Sequence, residues 1–158
     1  MAMDDSSSTS GLLADEAATL ALGGALAGSL TPGMVVYLDG DLGAGKTTLT
    51  RGLLRALGHA GRVKSPTYAL VESYAFDGLE VHHFDLYRFN DPQEWDDSGL
   101  AELFGAHSLC LVEWPDKAEG LLPPPDLTVA LAVDGEGRRY RLTAHDDTGR
   151  QCLTRLSS

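Results

Sequence analysis

The chain has 158 residues, 43% of them hydrophobic and 22% charged, which places it among ordinary soluble globular domains and excludes a disordered chain or a membrane protein. Its 12 Lys and Arg face 23 Asp and Glu, and the field of a net charge of −11 repels phosphate polymers, so direct nucleic-acid binding is disfavoured. Cys110 and Cys152 are the only cysteines, and the apolar run around Cys110 predicts a buried reduced thiol, no disulfide and a cytoplasmic location.

Residues 1–10, with Ser6-Ser7-Ser8-Thr9-Ser10, have little to bury and read as a disordered leader, leaving 11–158 as one domain. Asp15 and Glu16 stand where a helix N-terminus favours acids and precede an Ala- and Leu-rich helix toward Leu30. Gly23-Gly24 weakens the interior of that helix. No Lys or Arg precedes Lys46, so this apolar stretch lacks the basic start of a signal peptide, and it is too short to span a bilayer.

Met34–Leu38 is a short apolar run of the kind that forms a strand buried on both faces of a parallel sheet. Beyond a glycine-rich loop, Leu49, Leu53, Leu54 and Leu57 share one helical face, and Gly58 suits the C-terminal cap. Tyr68–Tyr74 and Glu80–Tyr87 read as a hairpin turning at Phe76-Asp77-Gly78. A short helical segment follows Asp91-Pro92, interrupted at Gly99; Leu109–Glu113 is another buried strand. After Pro123-Pro124-Pro125, Leu127–Val133 turns at Asp134-Gly135 and returns through Arg138 to Leu142. The pattern predicts a single P-loop NTPase-like α/β domain: a mixed, mostly parallel sheet flanked by helices, with antiparallel hairpins.

Gly40-Asp41-Leu42-Gly43-Ala44-Gly45-Lys46-Thr47 matches G-x-x-x-x-G-K-[ST] between a strand and a helix. Backbone N–H groups of such a loop surround phosphate oxygens, and the glycines allow the close approach. Lys46 supplies a compact cation to the β- and γ-phosphates, the Thr47 hydroxyl a magnesium ligand, and Thr48 an α-phosphate contact. ATP and Mg2+ are therefore the expected cofactors.

Ligands of open α/β sheets sit beyond the carboxyl ends of the strands, which selects Asp85 and Glu113 as acids to bind magnesium or orient water. His82 and His83 are adjacent on a strand, point to opposite faces and cannot share one ion, so both are expected in hydrogen-bonded structural roles. Ser65-Pro66-Thr67 is either a γ-phosphate-responsive switch or an ordinary turn. Trp114 is either a stacking or partner surface or a core edge. Arg138, Arg139, Arg141, Arg150 and Arg155 read as a solvated strand face rather than an RNA site. A small-molecule or nucleotide kinase would share the loop but needs an arginine-bearing lid, and none is evident. A GTPase-type switch would need N-K-x-D, whereas Asp116-Lys117 has the wrong order.

The loop, Ser65-Pro66-Thr67-Tyr68, His83-Phe84-Asp85-Leu86-Tyr87-Arg88 and Glu113-Trp114-Pro115, in this order, resemble the TsaE (YjeE) family of bacterial ATPases over about residues 14–145. The resemblance implies an ATPase required, with TsaB and TsaD proteins, to form N6-threonylcarbamoyladenosine at position 37 of tRNAs reading codons that begin with A. It implies phosphate binding by Asp41 through Thr48, magnesium at Thr47 and Glu113, a hydrolytic role for Asp85 beside Lys46, and adenine near Glu16 and Ala17. The tRNA would be met only indirectly, through the partner proteins, and no membrane is involved.

Overall fold

The structure, a computed structural model, describes residues 7–41 and 43–157. In chain order the elements are β1 (Ser8–Leu13), α1 (Glu16–Ala27), β2 (Val35–Asp39), α2 (Lys46–Ala56), β3 (Val71–Phe76) and β4 (Leu79–Asp85). There follow α3 (Gln93–Ser98), β5 (Ser108–Glu113), β6 (Leu127–Asp134), β7 (Gly137–Ala144) and α4 (Asp147–Ser157).

The seven strands form one sheet in the order β1-β7-β6-β2-β5-β4-β3. Its centre is parallel, β2 pairing with both β5 and β6, and β4 pairing with β5. Antiparallel pairs lie outside it: β3 with β4, β6 with β7 and β7 with β1. The fold class is the one the strand and loop pattern implies. β2 is central because Val36 and Leu38 are buried on one face and Val35 on the other, leaving it no polar side.

Ser8–Ser10 are not part of a leader. They pair with Arg141–Thr143 in β1, which gives the outward N–H and C=O groups of β7 their partners. That pairing needs backbone rather than apolar side chains, so composition misled there. The remainder of the expected leader, residues 1–6, lies outside the described residues.

α1 and α2 pack on the face of the sheet that carries Leu38, Leu111 and Val129. Asp15 caps α1 by accepting from the Ala18 N–H at 2.9 Å. Gly23, which weakens the helix in isolation, is what lets the two helices cross closely: a Cβ there would lie 2.1 Å from the Leu49 carbonyl oxygen. Gly52 does the same from the other side, 2.2 Å from the Leu20 carbonyl oxygen. The opposite face of β4 and β5 is covered by Trp95 of α3 and by Phe104, which pack on Phe84.

α4 carries no strong sequence signal, yet it buries Cys152 and Leu153 and its Arg155 donates twice to the Ser29 carbonyl at 3.0 and 2.6 Å. At its start, burial pushes the Asp126 carboxyl up to about 6, and its hydrogen bond to Asp146 holds the Asp146 carboxyl low. Asp126 also accepts from the Val35 N–H at 2.8 Å, so this pair ties α4 to the central strand. Both cysteines are buried and free. Among the described residues no helix is long and apolar enough to cross a membrane.

Gly52→Ala should force α1 off α2. Chemical denaturation is expected to show a loss of about 2–3 kcal/mol, the cost of overpacking a close backbone contact.

Candidate functional site

The site lies at the C-terminal ends of β2, β4 and β5, where the chain leaving Asp39 turns through the glycine loop into α2. Gly40 has φ +151°, and a Cβ there would stand 2.6 Å from the Leu131 carbonyl oxygen, so a side chain would collide with β6. Gly45, at φ +109°, precedes α2, whose start has no side-chain cap. The first-turn N–H groups are thereby left for an acceptor in the cavity that Gly45, Thr47 and Thr48 line.

Lys46 is buried and curls back on its own loop. Its Nζ donates to the Gly40 carbonyl, lies 3.6 Å from Glu113 Oε1 and stands over the Trp114 ring at 4.8 Å. Trp114 is held in the left-handed region, at φ +58°, a conformation that costs a bulky residue on the order of 1–3 kcal/mol. Its ring also meets Tyr87, with centroids 5.0 Å apart.

The register of β4 and β5 sets Asp85 directly beside Glu113. Both are buried, at 3% and 5% exposure, which for carboxylates requires partners. Asp85 accepts from the Tyr87 N–H at 2.9 Å and from Thr67 Oγ1 at 3.2 Å; Thr67 in turn shares a 2.8 Å bond with Ser65. The Ser65-Pro66-Thr67 segment leads into a turn, with the Leu70 N–H donating to the Pro66 carbonyl at 2.8 Å, and it reaches a site acid through Thr67. Glu113 meets His83 Nε2 at 2.5 Å through Oε2. His82 faces the other way, bonded to Ser73 Oγ at 2.7 Å, so the two histidines are split between the faces as strand alternation requires.

Two cavities adjoin along the loop. One, of about 200 Å³, is walled by Lys46, Thr47, Thr67, Asp85 and Glu113. The other, of about 150 Å³, is walled by Asp15, Glu16, Thr19, Glu136 and Gly137. They share Gly45, Thr48 and Arg138, so a two-part ligand can lie across both. Glu16 lines the second cavity, whereas Ala17 does not. It is exposed, and Thr19, one turn on from Glu16, takes the inward position. Asp41 is exposed and accepts the Ala44 N–H at 3.0 Å; Ala44 is buried beneath the loop. Leu42 lies outside the described residues.

Arg138 escaped the sequence reading. Its Nε donates to the Ala44 carbonyl and its Nη2 to the Gly43 carbonyl, both at 3.0 Å. It is not part of a solvated basic face. Arg139 pairs with Asp134 on the surface and Arg150 with Asp147, so the five arginines do not act together. The missed signal is alternation: Arg138 shares its strand face with Tyr140, Leu142 and Ala144, the face that packs on the core.

A strand, glycine loop and helix at the carboxyl edge of a parallel sheet, with two acids across the same cavity, define an α/β domain of the P-loop NTPase-like class. Within it, the family model described as "Threonylcarbamoyl adenosine biosynthesis protein TsaE" matches residues 13–141, and the chain belongs to the TsaE family. It is 46% identical over 125 residues to the tRNA threonylcarbamoyladenosine biosynthesis protein TsaE of Haemophilus influenzae, covering 79% of each chain. The protein of the same name from Bacillus subtilis is 42% identical over 108 residues, covering 68% of this chain and 67% of its own. The crystal structure of Bacillus subtilis YdiB superposes with a TM-score of 0.81 at 30% identity, covering 95% of this chain and 94% of that one.

Arg138→Ala should release the two loop carbonyls. Losing hydrogen bonds to a charged donor at a partly exposed position is expected to cost about 1–2 kcal/mol. Amide hydrogen exchange in residues 43–48 would then rise roughly tenfold.

Proposed function

We propose that this chain is a magnesium-dependent ATPase that works with TsaB- and TsaD-type partners in forming N6-threonylcarbamoyladenosine on tRNA, in the cytoplasm where tRNA is modified. The observation that carries this reading is Asp85 and Glu113 standing side by side and lining one cavity with Lys46 and Thr47.

The residues fit a magnesium-bound nucleotide. Among the described residues no group of three or more His, Cys, Asp or Glu could hold a metal by itself. Magnesium does not need such a cage: it is bound through one or two protein oxygens, with phosphate and water completing its shell. The Thr47 hydroxyl and the Glu113 carboxylate line one cavity and are hard oxygen donors of that kind. When bound, the ion would neutralise charge on the phosphate being released.

The chain's own groups supply the remaining tasks. The uncapped start of α2 and the loop glycines receive phosphate oxygens. Lys46, held by Gly40 and Glu113, turns from them to the phosphates. Asp85, fixed by Thr67 and the Tyr87 N–H, orients the attacking water and couples that task to the Ser65–Thr67 segment. The second cavity, between Glu16, Thr19 and Gly137, takes the nucleoside. A net charge of −11 and dispersed arginines suit a protein that leaves the tRNA to its partners.

In a reconstituted mixture with both partner proteins, Asp85→Asn and Glu113→Gln are each expected to lower ATP turnover by roughly 100-fold, the scale of a lost catalytic carboxylate. Threonylcarbamoylation should fall with it, while nucleotide binding by Asp85→Asn changes little. Undiminished turnover in both variants would overturn the assignment.

A further inference from the structure

β4 presents a second polar side chain on the face that carries Asp85. His83 is fully buried, its Nε2 lies 2.5 Å from Glu113 Oε2, and its Nδ1 has no partner among the described residues. A buried N–H without an acceptor costs more than an unused lone pair. One proton, on Nε2, accounts for both facts: the imidazole donates to the carboxylate and leaves Nδ1 bare.

A core histidine needs only some acceptor, and any backbone carbonyl would serve. His83 instead takes the acid at the end of the neighbouring strand, and only one of its two oxygens. The other, Oε1, faces Lys46 Nζ at 3.6 Å. The terminal torsion of a glutamate is broad and roughly two-fold, so an untethered Glu113 would present either oxygen in several orientations.

We infer that His83 is a positioning residue. By holding Oε2 it leaves Oε1 as the oxygen offered first to Lys46 and then, once Lys46 turns to phosphate, to the cation carried by the nucleotide. The inference rests on the reading of Glu113 as the acid that serves magnesium. Hydrogen-bonded partners that orient a metal ligand typically alter metal affinity by about 10–100-fold when removed.

The test uses purified full-length chain, with ADP as probe, and measures its affinity with and without magnesium chloride. In His83→Leu the gain in affinity that magnesium confers should shrink at least about tenfold, while magnesium-free ADP binding stays within about twofold of the parent. His83→Gln, whose amide nitrogen reaches about as far as Nε2, should restore most of the gain. His83→Asn, whose amide reaches only the Nδ1 position, should not, and it stands in if the leucine variant does not fold. A structural role alone predicts the same loss for Gln and Asn, or a loss of magnesium-free binding, and either result overturns the inference. Glu113→Gln is measured in parallel. If it abolishes the magnesium effect while His83→Leu and His83→Asn keep it, His83 has no positioning role. If Glu113→Gln itself keeps the effect, the reading of Glu113 fails and the inference falls with it.

Discussion

The site depends on the register between β4 and β5. With Asp85 opposite Glu113, the two carboxylates and His83 face α2 and the loop, while Phe84 and Val112 face the aromatic cluster of Trp95 and Phe104. A slip of β4 by one residue would exchange its faces, driving the Asp85 carboxylate into that cluster and the Phe84 ring against the loop. Stacking of Phe84 on Phe104, centroids 5.2 Å apart, and its edge contact with Trp95 therefore guard the polar side of the strands from the apolar one. Through Trp95, α3 packs on the strand that carries Asp85, although none of its residues lines the cavity.

The second constraint is electrostatic. Lys46 and Glu113 are each about 5% exposed, and neither would be tolerated there alone. Lys46 is shared among a loop carbonyl, a carboxylate and the Trp114 ring; Glu113 is shared between Lys46 and His83. On the proposed function, a polyanion entering the loop would compete for Lys46 with groups that are already acceptors, so binding would exchange partners for a charge that is never bare. The acid that Lys46 leaves behind would then face the same cavity as Thr47, where a cation accompanying the phosphates would replace the ammonium.

Most of the fold and the centre of the site could be read in the sequence. Apolar runs with no polar side, such as Val35–Leu38 and Leu109–Val112, announce strands buried on both faces, and G-x-x-x-x-G-K-T between strand and helix locates the loop. Other features were hidden because their cause lies in a distant partner. β1 exists through backbone pairing with β7, which polar side chains do not advertise. Gly23 is a poor helix residue until the α2 backbone at Leu49 is brought against it. Arg138 sits in a run of arginines, and only its strand parity separates the one that braces the loop from those that meet solvent. Ala17 and Thr19 differ by a rotation about α1 that cannot be assigned before the helix is docked. The direct pairing of Asp85 with Glu113 is likewise a property of the register, though each acid was visible as a strand end.

A crystal structure of the chain with magnesium and a non-hydrolysable ATP analogue would show whether Lys46 and Glu113 exchange partners on binding. The triphosphate is expected in the cradle of Gly43–Thr48, with Lys46 Nζ moved from Gly40 and Glu113 to the β- and γ-phosphates. The ion is expected between Thr47 and Glu113, with Asp85 facing the γ-phosphate. Phosphates bound elsewhere, or a Lys46 still bonded to Glu113 with the nucleotide in place, would contradict that exchange.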